Sequence, residues 1–169
     1  MVFVLMAKRG LGEVAKTYAR QILSDQLQDQ FEENYVSSDM QNGIDREPIA
    51  RDLYEKENFV EVTEIAFIQK DDFQGTSPDG LVGEDGMIEI KCPKTEKHMK
   101  NLLAKECPAE YYDQIQHQLY ISGRKWNDLV SYNPYFKEEH RLKIIRVLPS
   151  KEWVELYEER LAQFKLLIK

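Results

Sequence analysis

A chain of 169 residues, 42% hydrophobic and 11% aromatic, can bury one sizeable core and is expected to form a single domain over 1–169. Its net charge of −7 argues against a generally basic nucleic-acid coat protein. Two cysteines, Cys92 and Cys107, are too few for a disulfide framework, no stretch approaches the roughly 20 apolar residues of a membrane span, and the apolar run Val2 to Met6 lacks the basic flank of a signal peptide. A reducing, cytoplasmic setting without membrane contact is the expectation.

From Gly12 to about Gln30, the residues Val14, Ala15, Tyr18, Ala19, Ile22 and Leu23 recur at helical spacing and predict an amphipathic helix with a core-facing stripe. Glu32 to Asn42 lacks periodicity and reads as a loop. A second helix is expected from about Asp45 to Asn58, with Ile49, Leu53 and Tyr54 on its apolar face. Pro48 is accommodated there in a first turn, where Glu47 would lie near the positive end of the helix dipole. Val60, Val62, Ile65, Phe67 and Ile68 suit a strand with a break, and Lys70 to Gln74 a polar turn.

The most informative stretch follows. Ser77-Pro78-Asp79-Gly80 precedes a short apolar piece, Leu81-Val82, and Gly83-Glu84-Asp85-Gly86 reads as the turn into a second strand, Met87-Ile88-Glu89-Ile90-Lys91-Cys92-Pro93. Side chains alternate along a strand, so Glu89 and Lys91 share one face while Ile88 and Ile90 share the other. A hairpin of this length can bring Asp79 beside Glu89. Two adjacent carboxylates repel unless a cation lies between them, and one lysine supplies a single positive charge. The pattern is that of an oxygen-ligand site for a hard divalent metal such as magnesium.

Pro93 stops strand pairing, and Thr95 is expected to cap a helix to about Lys105 with Met99, Leu102 and Leu103 inward. His98 lies in its first turns and receives no role. Over Ala109 to Ser122 a further helix places Tyr111, Ile115 and Leu119 on one face and Gln114 with Gln118 on the adjacent one. After the basic turn Gly123-Arg124-Lys125, two strands are expected at Trp126–Tyr132 and Leu142–Leu148. Ser150 should cap a last helix from Lys151, with Trp153, Leu156, Tyr157, Leu161 and Phe164 inward.

Asp79, Glu89 and Lys91 match the PD-(D/E)xK nuclease signature. The longer runs Ser77-Pro78-Asp79-Gly80-Leu81-Val82 and Ile88 to Thr95, with His98, resemble the YqaJ-type viral recombinases, the family of the lambda phage exonuclease. Gly43-x-x-x-Glu47-Pro48-x-Ala50-Arg51, the block Tyr111 to Leu119 and Tyr132-Asn133-Pro134 extend the likeness over roughly Gly10 to Lys169. The resemblance implies an α/β (α+β) fold with a restriction-endonuclease-like core, a central mixed β-sheet flanked by helices. It assigns metal binding to Glu47, Asp79, Glu89 and the carbonyl of Ile90. Catalytic roles fall to Asp79, Glu89, Lys91 and Gln114, the last as a neutral amide that can bond a water or a phosphate oxygen. The iron–sulfur nucleases of CRISPR adaptation are excluded, since four cysteine ligands are not available.

What the resemblance implies is a magnesium-dependent deoxyribonuclease, with manganese able to substitute, degrading one strand of linear double-stranded DNA 5′→3′ in phage-type recombination. A single-strand annealing protein would receive the 3′ overhang, a homo-oligomeric ring trimer would surround the DNA, and the setting would be a bacterial cytoplasm. By the resemblance, the chain is expected to start almost directly on the helix that follows the family's N-terminal segment. That segment's arginine and serine or threonine contact the 5′-phosphate, and Lys8 and Arg9 carry no accompanying motif. The metal centre is therefore expected intact, with 5′-end recognition left open. Two other readings are a structure- or end-specific endonuclease and an inactive DNA- or protein-binding module. Five chemically demanding side chains argue against the latter.

Overall fold

The computed structural model describes residues 5–6, 13–27 and 38–167. Its elements are α1 (Glu13–Leu27), α2 (Ser38–Asn58), β1 (Val62–Thr63), β2 (Ile68–Asp71), β3 (Gln74–Thr76), β4 (Gly80–Val82), β5 (Gly86–Lys91), α3 (Thr95–Leu103), α4 (Ala109–Ser122), β6 (Trp126–Tyr132), β7 (Leu142–Val147) and α5 (Lys151–Leu167). They fall into two compact units: Val36–Pro149, and Met1–Tyr35 with Ser150–Lys169.

The Val36–Pro149 unit is built on a five-stranded sheet of order β1-β4-β5-β6-β7. Only β5 and β6 run parallel, Glu89 opposite Leu129; the other pairs are antiparallel. A parallel pair needs a long crossover, and α3 and α4 supply it. The mixed sheet flanked by helices, with the α/β core of a restriction endonuclease, is thus as the sequence predicts. Each sheet face has its own core. Ala50 and Tyr54 of α2 pack with Val82, Ile88, Ile90, Val130 and Tyr132 on one side. Tyr111, Ile115 and Leu119 of α4 pack with Leu129, Ile145 and Val147 on the other. Period-two alternation in β5 therefore sends Ile88 and Ile90 toward α2, and Glu89 toward α4.

At the centre of this sheet the packing is close. A Cβ on Gly86 would lie 2.1 Å from the Trp126 ring, so β5 begins on a residue without one. Gly83 turns the β4–β5 hairpin at φ 54°, a left-handed conformation that glycine adopts without strain. Arg124 locks the turn by donating to the carbonyls of Gly83 (2.8 Å) and Gly86 (2.7 Å). Gly123, at φ 69°, ends α4 in a left-handed cap.

Several local expectations are corrected. α2 starts at Ser38 rather than Asp45, so the loop expected at Glu32 to Asn42 gives way to helix from Ser38; its earlier residues lie outside those described. Pro48 and Glu47 are consequently interior to the helix, not in a first turn. The missing Pro48 N–H is tolerated because fully buried Ala50 and Tyr54 hold the following turns against the sheet. Ile49 is 50% exposed, so the buried face runs through Ala50 and Tyr54. Within Phe59 to Ile68, only Val62–Thr63 and Ile68 are in strands, and Phe59 is exposed at φ 55°. The expected turn Lys70 to Gln74 is the tip of a separate hairpin, β2–β3. In α3 the inward residues are His98 and Asn101, whereas Met99 and Leu103 are exposed, and the cap position is Lys94. Polar contacts to Ser131 replace the apolar face that periodicity suggested.

In the other unit, Ala15 and Ala19 of α1 are buried and Tyr18 stacks on Phe164 of α5 at 6.0 Å. The side chains of Val14 and Leu23, together with Lys8, Arg9 and Val2 to Val4, lie outside the described residues. Ser150 caps α5 as expected, its Oγ accepting from Trp153 N at 3.2 Å, and Trp153, Tyr157, Leu161 and Phe164 are buried. Leu156 is exposed instead. No helix among the described residues is long and apolar enough to cross a membrane.

Candidate active site

The site forms where the β4–β5 hairpin opens. The ladder between these strands ends at Gly80 opposite Ile88, leaving the next backbone groups of β5 unpaired on that side. Asp79 fills the gap: its Oδ2 accepts from Ile90 N at 2.6 Å. In a strand the N–H and C=O of one residue face the same edge, so the Ile90 carbonyl opens toward Asp79 as well.

Glu89 is 2% exposed, and both of its oxygens are held. Oε1 accepts from Lys91 Nζ at 2.6 Å and from Gln114 Nε2 at 2.7 Å. Oε2 accepts from Gln118 Nε2 at 2.6 Å. The i, i+4 spacing of the glutamines puts both amides on the one face of α4 that meets Glu89. Behind them, Asn127 Nδ2 donates to Gln118 Oε1 at 2.7 Å, which turns the Gln118 amide so that its NH2 faces the carboxylate. Gln118 and Asn127 are fully buried, and Asn127 Oδ1 has no hydrogen-bond partner among the described residues.

The electrostatics show a surplus of negative charge. Burial, then the charge of Glu89, and further off that of Glu47, push the Asp79 carboxyl up to about 7 against the pull of the Ile90 N–H and Lys91. Burial disfavours the Lys91 ammonium, yet Glu89 and Asp79 together raise its pKa above the ordinary lysine value. In this arrangement Lys91 is a donor to Glu89. On α2, Glu47 pairs with Arg51 at 2.5 Å, and the same Arg51 nitrogen reaches the Asp79 carbonyl at 3.3 Å, at the start of β4. Arg51 also meets Glu64 at 3.0 Å, and so ties the helix to the end of β1 as well.

Among the described residues, no group of three or more histidine, cysteine, aspartate or glutamate side chains is arranged to hold a metal ion. The reason is visible in the contacts: Glu89 is occupied by three donors and Glu47 is turned to Arg51. The donor chemistry nevertheless fits a hard divalent cation. The available atoms are carboxylate and carbonyl oxygens, and a cation would favour the charged form of Asp79, which burial first and Glu89 second disfavour.

Asp79, Glu89, Lys91 and Gln114 are thus brought together, with Glu47 joined to them through Arg51. Gln118, Asn127 and Arg51 are additional members. Helical spacing already aligned Gln118 with Gln114, whereas nothing in the alternation of β6 marks Asn127. His98 is a packing residue: its nitrogens lie 2.9 Å from Ser131 Oγ and 2.9 Å from the His140 carbonyl, and its ring meets Phe136 edge-on. Both thiols are free and half-buried, and burial pushes each up to about 11, as befits packing residues.

The family model of the YqaJ-like viral recombinase domain matches residues 11–125, a span containing Glu47, Asp79, Glu89, Lys91 and Gln114. An alkaline exonuclease, LHK-Exo, from Laribacter hongkongensis is 31% identical over 99% of this chain and 86% of its own, with a TM-score of 0.83. The structure of LHK-Exo in complex with dAMP gives 30% identity, coverages of 99% and 84%, and a TM-score of 0.87. A phage-related exonuclease from Haemophilus somnus 129PT shares the fold at 14% identity, with coverages of 93% and 82% and a TM-score of 0.71. No curated protein matches significantly. The chain belongs to the YqaJ-like viral recombinase family, in the PD-(D/E)xK-related superfamily whose signature it carries as Asp79, Glu89 and Lys91.

Proposed function

We propose that this protein is a metal-dependent deoxyribonuclease that degrades one strand of linear double-stranded DNA from its 5′ end. The observation that carries the reading is Asp79 set beside a buried Glu89, on which Lys91 and Gln114 converge. Its similarity to LHK-Exo over nearly its whole length favours an exonuclease.

Asp79, Glu89, the Ile90 carbonyl and, after release from Arg51, Glu47 would hold magnesium, with manganese as a substitute. When bound, the ion supplies charge neutralisation and acidifies a coordinated water. Lys91, kept as an ammonium, faces the charge that builds on the scissile phosphate. Gln114 has one amide hydrogen engaged by Glu89 and its remaining polar capacity available to a water or a phosphate oxygen. Gln118 and Asn127 fix the carboxylate that both depend on. The family reading extends to a 3′ overhang passed to an annealing protein and to an oligomeric ring on the DNA.

The test incubates purified protein with linear and with circular duplex DNA, each with magnesium and with a chelator, the linear DNA with and without 5′-phosphates. Magnesium-dependent loss of linear DNA alone is expected, and sensitivity to the 5′-phosphate would show that the end is recognised. Cutting of the circle would replace the exonuclease by an endonuclease. Failure to cut either DNA would leave a binding module.

A further inference from the structure

Several cations near the site have carboxylate partners. Lys91 pairs with Glu89, Arg51 with Glu47 and Glu64, and Lys97 with Glu110. Arg46, immediately before Glu47, meets no carboxylate among the described residues. Its helical neighbours at the pairing distances, Asn42, Gly43, Ile49 and Ala50, are not acids. Its contact is instead with Tyr135, across the end of β5: Nη2 lies 3.4 Å from the Tyr135 hydroxyl and the guanidinium 5.2 Å from the ring centroid. That is a loose contact beside Arg146 over Trp126, at 3.8 Å.

Tyr135 is 77% exposed, yet its backbone is firmly set. Buried Asn133 accepts from Tyr135 N through Oδ1 at 3.0 Å and donates through Nδ2 to the Pro93 carbonyl at 2.9 Å. Pro93 follows the strand that carries Glu89 and Lys91. An exposed aromatic on a braced loop thus sits with a guanidinium that has no carboxylate partner among the described residues, next to Glu47 and to the loop tied to Pro93.

We infer that Arg46 and Tyr135 form a nucleotide subsite for the strand entering the active site, Arg46 holding a phosphate and Tyr135 stacking an unpaired base. Guanidinium groups match phosphate oxygens as a planar fork, and aromatic side chains stack any base, whatever its sequence. A base within a duplex is already stacked, so the occupant is an unpaired or frayed nucleotide. This inference rests on the reading of the protein as a DNA nuclease.

The test measures binding of a fluorescent single-stranded oligonucleotide in chelator, where no cleavage occurs, for wild type, Arg46→Ala, Tyr135→Ala and Tyr135→Trp. Thermal melting verifies folding of each. Tyr135→Ala is expected to weaken binding by about tenfold, and Tyr135→Trp to retain it. Arg46→Ala should weaken it and lower the slope of log affinity against log salt by about 0.7, the contribution of one phosphate on a single strand, while Tyr135→Ala leaves the slope unchanged. Wild-type affinity in both alanine variants would overturn the subsite while leaving the nuclease reading intact. Binding that depends on both residues, in a protein that cuts no DNA with magnesium, would sustain the subsite and sink the nuclease. A wild-type protein that neither binds nor cuts would overturn both.

Discussion

Glu89 concentrates the chemistry of this molecule, and its surroundings change what its replacement should do. Alternation along the strand predicts a cleft-facing carboxylate whose loss would spare the fold. Instead, the side chain is buried and receives three donors. Glu89→Gln is expected to abolish magnesium-dependent cleavage while the protein still folds, because the amide oxygen keeps one acceptor. Glu89→Ala, which strands all three donors, should in addition lower stability by about 3 kcal/mol. Gln118 offers a finer test. Gln118→Leu removes the donor to Glu89 Oε2 and orphans Asn127 Nδ2, so a loss of about 1–3 kcal/mol in urea unfolding is expected. A positioning role further requires weaker magnesium binding, read as a shifted midpoint when the metal raises the melting temperature. A stability loss without that shift would reduce Gln118 to a packing residue. The motif residues were legible because the chemistry demands particular side chains at fixed spacing. Asn127 was not, since its role comes from β6 lying beside β5 under α4.

The elements that position the site tolerate little change at their contact points. The β4–β5 hairpin and the parallel β5–β6 pair meet at Gly86, whose missing Cβ makes room for the Trp126 ring. Gly86→Ala forces that ring or the strand to move, and a loss of about 1–3 kcal/mol is expected in chemical denaturation. Trp126 also carries Arg146, which makes a two-bonded ion pair with buried Asp128, itself the acceptor of the Tyr54 hydroxyl. Displacing it should therefore loosen α2 as well. A variant as stable as wild type would show that β6 yields without cost. Hairpin, crossover helix α4 and strand β6 were all readable from periodicity and turn residues. The length of α2 was not, because a proline and an unpatterned stretch argue locally for a break.

For the whole molecule, the carboxylate surplus links pH to stability. Asp79 has a folded pKa raised to about 7, so the folded state retains a proton that the unfolded chain releases from about pH 4 upward. Stability contributed by that proton is complete at low pH and is lost as pH rises toward 7. His117 acts in the opposite sense: burial lowers its pKa to about 4, and it costs stability as pH falls below the ordinary histidine value. The two slopes oppose each other between about pH 4 and 6.5, so the test compares variants. In chelator, Asp79→Asn should melt above wild type at pH 8, and the gap should close toward pH 4. Magnesium should raise the melting temperature of wild type at pH 8 and have little effect on Asp79→Asn. An equal rise in both would remove Asp79 from the metal site.

The sequence by itself determined the family signature, the alternation that separates Glu89 from its isoleucine neighbours, and the helical spacing that pairs Gln114 with Gln118. These are local properties, set by side-chain chemistry and by backbone periods of two and 3.6 residues. Only the tertiary structure decided that Glu89 is buried under two amides, that Arg51 ties Glu47 to the Asp79 backbone, and that Arg46 is left with an exposed tyrosine for company. Those arrangements join residues far apart in the chain, and burial, which sets both the charge balance and the cost of every unpaired group, exists only once the sheet and its helices have packed.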